Sequence, residues 1–453
     1  MKPSSWDTDA IFYHIYPLGC CGAPVRNDFS AAPVNRLDSL YAFLDHIQSL
    51  GANAIYLGPL FESSAHGYDT ADYFQVDRRL GKNSTLSALA REIHQRGMHL
   101  VLDGVFNHVG RDFWAFRDLQ ANRQNSAFRG WFSNLDFSRS SPKGDPFWYE
   151  GWNGHYDLVK LNLNHPEVRS HLFEAIRTWV DQYEIDGLRL DAADVLDIGF
   201  LKDLSGYCRS LRPDFWLMGE IVHGDYRRLA NPEMLNSATN YEVYKGLYSS
   251  LNDHNYFEIA YAINRQSGAY GLYKDLALYN FADNHDVDRI ASSLRNPAHL
   301  YPLYCLLFTM PGIPSIYYGS EQGIQGKRTE FSDRDLRPAL TMDQVNQLPE
   351  KDLPAAITRL AAIRKTSEAL KIGDYLELMV SSEQFVFLRR SSTQAVVVAI
   401  NSSTKTSAIP LRVPLPDGWL EDRLNPGRRL RIINGRLEIS LPSCWAMVLD
   451  FQG

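Results

Sequence analysis

Gly187-Leu188-Arg189-Leu190-Asp191-Ala192-Ala193 is a short strand pattern that ends abruptly in a carboxylate. It follows Pro166–Tyr183, which reads as an amphipathic helical stretch. A helix feeding a short apolar run is one step of an alternating pattern, and the same alternation extends from the start of the chain to about residue 370. Strands are predicted at Ile11–Leu18, Asn53–Leu60, His99–Phe106, Gly187–Asp191, Phe215–Glu220, Ala238–Glu242, Leu276–Phe281 and Ile313–Tyr318. Helical stretches lie between them, for example Leu37–Leu50, Ser84–Arg96 and Tyr301–Met310. Eight strand–helix units in series predict the α/β class and a parallel (β/α)8 TIM barrel, since the helices bury the outer sheet face. A doubly wound open sheet is the rival. No G-x-G-x-x-G turn follows the first strand, which counts against it.

Two stretches break the alternation. Residues 107–164, rich in Asn, Asp, Trp and Phe, separate strand 3 from its helix, and a connection that long is functional or a small subdomain. After Lys371 the helices stop, and short β-type runs follow at Phe385–Arg389, Ala395–Ile400, Leu430–Ile433 and Trp445–Phe451. The predicted organisation is therefore a barrel at 1–106 and 165–370, an insertion at 107–164, and an antiparallel β-sandwich domain at 371–453.

The 453 residues suit one large barrel with a smaller companion. A net charge of −7 and the lack of a long basic run argue against nucleic acid as a partner. No run of about 18 apolar residues predicts a membrane span, and Met1–Ala10 lacks the apolar core of a secretory signal. Five scattered cysteines, an odd number, read as reduced thiols. A cytoplasmic protein is expected.

The chemistry lies where strands end. Strand 3 closes on Asp103, strand 4 on Asp191 and strand 5 on Glu220, and Asp283-Asn284-His285-Asp286 follows strand 7. Singly, each reads as a capping or ion-paired carboxylate. A barrel gathers the C-terminal ends of its strands at one rim, so these groups are expected to converge, at a cost in repulsion and lost hydration that a structural purpose does not explain. Paired carboxylates in a cleft suit acid–base work on glycosidic bonds. Arg189, two residues before Asp191, shares its face and is expected to favour its ionised form. Glu220 has Met218 at the same offset, so desolvation and like charge are expected to hold its proton. On that reading Asp191 is the nucleophile and Glu220 the general acid/base.

Asp103-Gly-Val-Phe-Asn107-His108, Gly187-Leu-Arg189-Leu-Asp191, Gly219-Glu220-Ile221 and His285-Asp286 occur in an order and spacing that resemble the α-amylase family (glycoside hydrolase family 13). His66-Gly67-Tyr68-Asp69 and the segment from Pro311 to Gly319 look like the same family. The resemblance implies the barrel, a B domain inserted after strand 3, a C-terminal β-sandwich, and a retaining mechanism on α-glucosidic bonds. It makes Asp191 the nucleophile, Glu220 the acid/base and Asp286 a third carboxylate on the sugar hydroxyls. Tyr68 becomes a stacking platform, His108 and His285 hydrogen-bond partners of the same sugar, and Asp103 the group that orients Arg189. Asp333 and Arg337 would grip the next glucose outward.

Two departures narrow the resemblance. Typical α-amylases place a calcium-binding Asp where Lys160 stands, and an ammonium supplies no oxygen ligand. Asp191-Ala-Ala-Asp194 also lacks the Lys-His of those enzymes, and Gly22–Asp28 shows no calcium-loop pattern. No cofactor and no structural calcium at the barrel/B-domain junction is therefore expected. Lys160-Leu-Asn and Gly-Glu-Ile-Val-His223 look like the neopullulanase and cyclomaltodextrinase branch. That branch usually carries an extra N-terminal domain, for which no room is expected, because strand 1 begins near Ile11. The expected function is hydrolysis of α-1,4-glucans or maltooligosaccharides, with cyclodextrin and pullulan as related substrates. Transglycosylation through the same site and a non-catalytic sugar-binding barrel are the alternatives. A metal-dependent hydrolase would want two adjacent histidines on a strand, and Tyr13-His14-Ile15-Tyr16 offers one. Monomer and homodimer both stay open.

Overall fold

The structure, a computed structural model, describes residues 6–330, 332–348 and 352–452. The apolar runs form eight parallel strands: β1 (Phe12–Ile15), β2 (Ala54–Leu57), β3 (His99–Gly104), β4 (Gly187–Leu190), β5 (Trp216–Gly219), β6 (Ser237–Ala238), β7 (Tyr279–Phe281) and β8 (Ile313–Tyr317). They hydrogen-bond in the order β6-β5-β4-β3-β2-β1-β8-β7, and a parallel bridge from Thr239 to Tyr279 closes the ring. Side chains alternate across each strand. Leu100, Leu102, Leu188, Leu190 and Leu217 point outward into the main hydrophobic core. Phe12, Tyr56, Val101, Trp216, Met218, Tyr279 and Ile313 fill the barrel interior as a separate cluster.

Helix Pro166–Tyr183 has the predicted bounds, with its proline in the first turn and Leu172, Ile176, Trp179 and Tyr183 buried along one face. The sixth strand was expected over Ala238–Glu242, but it spans Ser237–Ala238, with one bridge beyond it at Thr239. The Asn240 side chain accepts a hydrogen bond from Val243 N–H and caps helix Tyr241–Asn252, so the capping signal overrides the β pattern. Strand 1 is likewise shorter than Ile11–Leu18, because Pro17 opens the short helix Pro17–Cys20.

Between β3 and helix Pro166–Tyr183 the chain forms helix Trp114–Asn122 and a small antiparallel sheet of His108–Gly110, His155–Lys160 and Gly151–Trp152. The last eighty or so residues described form two antiparallel sheets, one of six strands and one of Ser407–Arg412 with Arg436–Leu441. Val386, Leu388, Val397, Leu411, Leu437, Ile439 and Leu449 fill the space between these sheets. The opposite face of the larger sheet, with Phe385, Phe387, Val396, Val398 and Val448, joins the main core against the barrel. That burial on both sides explains why Ala395–Asn401 is a continuous apolar run without alternation.

Candidate active site

Residues at the C-terminal strand ends that continue the inward-facing series meet at the barrel rim. In parallel register Gly219 lies opposite Leu190, so the next residues, Glu220 and Asp191, are lateral neighbours. Arg189, 3% exposed, is the hub. Its Nη1 donates to Asp103 Oδ1 at 2.9 Å and to Asp191 Oδ1 at 3.0 Å, while Nη2 lies 2.9 Å from Glu220 Oε2. Ala192 N–H donates to the same Glu220 oxygen at 3.0 Å. Asp103 Oδ2 in turn accepts from the Tyr56 and Tyr68 hydroxyls, at 2.7 and 3.1 Å.

This geometry corrects the sequence reading of the charges. Arg189 does not favour Asp191 over Glu220, because one guanidinium touches both carboxylates. Burial raises the carboxyl of Asp191 well above its ordinary range, with Arg189 opposing and Glu220, Asp103 and Asp286 adding to the rise. Burial likewise raises Glu220, again against Arg189. Asp286 goes the other way. Burial would raise it, but His285, Arg337 and Arg189 outweigh burial and hold it far below the usual carboxylate range. Two crowded carboxyls that resist joint ionisation share a proton, while the third stays anionic. Such a set can supply an attacking carboxylate and a proton donor together.

Asp286 is held from behind by Arg337, whose Nη2 is 3.0 Å from Oδ1, and its Oδ2 is 2.9 Å from His285 Nε2. Arg337 also pairs with Asp333 at 3.2 Å, and Asp333 with Arg328 at 2.7 Å. Asp283 turns away from the cleft, its Oδ2 accepting from Ile290 N–H and Ser320 Oγ. The Tyr68 hydroxyl contacts His285 Nε2, and the two rings stack at 5.5 Å. Tyr68 is carried by the turn between Phe61–Ser63 and Thr70–Val76. Buried Arg79 fastens that turn, pairing with Asp77 and donating to the carbonyls of Ala65, Pro24 and Val25. His108 closes the other side, with Nε2 3.9 Å from Asp191 Oδ2. His108 Nε2 and His285 Nδ1 are buried without a hydrogen-bond partner among the described residues.

All ten residues singled out from sequence thus fall in one connected cluster, with Asp333 at its edge. Sequence reasoning assigned no role in this cluster to four more, although the aromatics around Trp148–Trp152 were open to lining outer subsites or packing the insertion. Tyr56 donates to Asp103. Tyr16 stacks on His285 at 5.7 Å under the Arg337 guanidinium. His14 stacks on Tyr56 at 4.2 Å, and Trp152 lies 5.5 Å from the His108 ring. Inward alternation along β1 and β2 would have found His14 and Tyr56.

At the barrel/B-domain junction the Lys160 position holds an ion pair. Lys160 Nζ lies 2.7 Å from Glu150 Oε1, whose other oxygen accepts from Asn134 Nδ2 at 2.6 Å. The Lys160 ammonium supplies no oxygen ligand and sits against the Glu150 carboxylate. Among the described residues no group of three His, Cys, Asp or Glu side chains is placed to hold a metal ion.

A profile of the family described as alpha amylase, catalytic domain, matches residues 34–367. A cyclomaltodextrinase from Geobacillus thermopakistaniensis (strain MAS1) is 29% identical over 459 residues, covering 96% of this chain and 76% of that protein. An intracellular maltogenic amylase of Bacillus subtilis is 29% identical over 416 residues, covering 89% of this chain and 68% of the relative. Among solved structures, the ligand-free cyclic α-maltosyl-(1→6)-maltose hydrolase of Arthrobacter globiformis superposes with a TM-score of 0.83 at 26% identity, covering 99% of this chain and 100% of the other.

Proposed function

The chain belongs to the α-amylase family of glycoside hydrolases, and from that membership we propose that it cleaves α-1,4-linked glucans or maltooligosaccharides with retention, through a glycosyl-enzyme on Asp191. Cyclodextrins and pullulan are further candidate substrates, by analogy with relatives named cyclomaltodextrinase and neopullulanase. A cytoplasmic location agrees with the name of the B. subtilis relative.

The observation that carries the reading is the Asp191–Glu220 pair bridged by one guanidinium. With one proton between them, ionised Asp191 attacks the anomeric carbon while protonated Glu220 gives its proton to the departing oxygen. Glu220, now a carboxylate, next takes a proton from water, which attacks the same carbon and frees Asp191. Asp286, anionic throughout, accepts hydrogen bonds from the sugar hydroxyls as positive charge develops on the ring. His108 and His285 flank Asp191 and Asp286 and would hydrogen-bond the same sugar, with Tyr68 stacked under its ring. Asp103 holds Arg189 and is a positioning residue.

The test is Glu220→Gln on maltotriose and soluble starch, with a loss of at least about 10³-fold expected. Hydrolysis at the wild-type rate would overturn the mechanism. A fluorinated α-glucosyl fluoride should label the peptide that contains Asp191, and a label on another residue would reassign the nucleophile.

A further inference from the structure

We propose that Trp152, at the tip of the B-domain hairpin, is a stacking platform for a second glucose unit of an α-glucan, next to the unit held by Tyr68. The proposal rests on the reading of Asp191 and Glu220 as glycosidase machinery. Trp152 differs from the other tryptophans of the B domain in what surrounds it. Trp114 packs edge-on against Phe128 and Trp131, Trp131 is buried in the main core, and Trp148 carries the Arg139 guanidinium over its ring at 4.7 Å. Trp152 belongs to none of the hydrophobic clusters and is partly exposed. Its ring neighbours are two imidazoles, His108 at 5.5 Å and His155 at 6.0 Å, the latter stacked with 25° between planes.

An indole left outside the core and partly in water gains little for folding. Its flat face matches the C–H face of a pyranose, and its position fits that use. His108 is buried between Trp152 and Asp191, with Nε2 3.9 Å from the Asp191 carboxylate. Trp152 therefore begins one side chain away from the reacting centre, on the His108 side, whereas Tyr68 stacks on His285. An oligosaccharide long enough to leave the central pocket on the His108 side meets this ring.

The platform is rigid before any sugar arrives. Trp152 pairs with His155 across the two-residue turn Asn153-Gly154, both with positive φ (46° and 80°), the geometry of a tight hairpin turn. Gly151 has no room for a side chain, since a Cβ there would come within 2.6 Å of the His155 carbonyl oxygen. A preformed aromatic surface loses little entropy on binding.

The experiment compares Trp152→Ala and Trp152→Phe with wild type on maltohexaose and on 4-nitrophenyl α-glucoside, which presents a single glucose. Trp152→Ala should raise KM for maltohexaose about tenfold, at least about fivefold more than for the short substrate, and Trp152→Phe should restore most of the difference. Equal losses on both substrates, or none on maltohexaose, would overturn the platform. Calorimetric titration of maltohexaose into Glu220→Gln and into Glu220→Gln/Trp152→Ala reads binding without turnover, and equal affinities would overturn it too. An active Glu220→Gln single variant would instead overturn the parent reading, so the two failures are distinct.

Discussion

Arg189 Nη2 lies 2.9 Å from Glu220 Oε2, although Arg189 is held in place from its other side by Asp103. The same side chain reaches Asp191, so the guanidinium sets the charge of the whole rim and not of one carboxylate. It compensates negative charge that is largely buried.

Replacing it exposes that dependence. Arg189→Gln leaves Asp103, Asp191 and Glu220 without their common cation, at an expected cost of about 3 kcal/mol in denaturant titration. The sign of the pH effect follows from the present shifts. Arg189 lowers both Asp191 and Glu220 against burial, so its loss raises both further. The attacking carboxylate is then ionised only at higher pH, and the acidic limb of the kcat profile should move upward. An unmoved limb would show that Arg189 does not govern these protonations.

Gly219 gives a purely steric test of the same pair. A Cβ at this position would lie 2.5 Å from Leu235 Cδ1 and 2.8 Å from the Ala193 Cβ. The Ala193 N–H bonds to the Glu220 carbonyl, so relief of the clash must move Glu220 relative to Asp191. Gly219→Ala is expected to lower kcat about 10²-fold with KM little changed, as displacement of a reacting group does. A full-rate variant would mean that the loop absorbs the methyl group elsewhere.

The strand ends were legible because carboxylates at the ends of short apolar runs have one place to go in a barrel. Arg189 shows where reading along one strand stops. Alternation puts it beside Asp191, but the lateral pairing of Arg189 with Met218 brings it equally close to Glu220, and register between strands is not written in either strand alone. The sixth strand is shorter than expected for a local reason, since Asn240 serves a helix cap that a polar, short run gave no means to separate from a strand. Asn153-Gly154 marks a hairpin turn between Trp152 and His155, but only the folded B domain shows that its tip meets His108.

Lys160 makes the metal expectation testable. Its ammonium pairs with Glu150 at the place where a calcium ligand was in question, and both side chains are about one-third exposed, so the pair itself contributes less than about 1 kcal/mol. We propose that no structural calcium is needed here. Treatment with a chelator should leave both the melting temperature and the rate on maltotriose unchanged. A loss of either that added calcium restores would overturn this.

Asp186 should contribute to acid stability. Its carboxylate, 4% exposed, accepts from Leu100 N–H at 2.8 Å and faces His94 at 3.0 Å, Arg212 at 2.9 Å and His99 at 3.3 Å. Burial alone would raise its pKa, but the bonds from His94, His99 and Leu100 outweigh burial and hold it well below the ordinary range. A carboxyl lower in the folded than in the unfolded chain stabilises fully above the unfolded value, about 3.9, and loses that contribution as the pH falls below it. Asp186→Asn should therefore cost about 3 kcal/mol at pH 6. The gap to wild type should narrow on titration towards pH 3, because the unfolded chain's carboxyl takes up a proton there while the native one stays ionised. A gap independent of pH would assign the cost to hydrogen-bond geometry and not to charge.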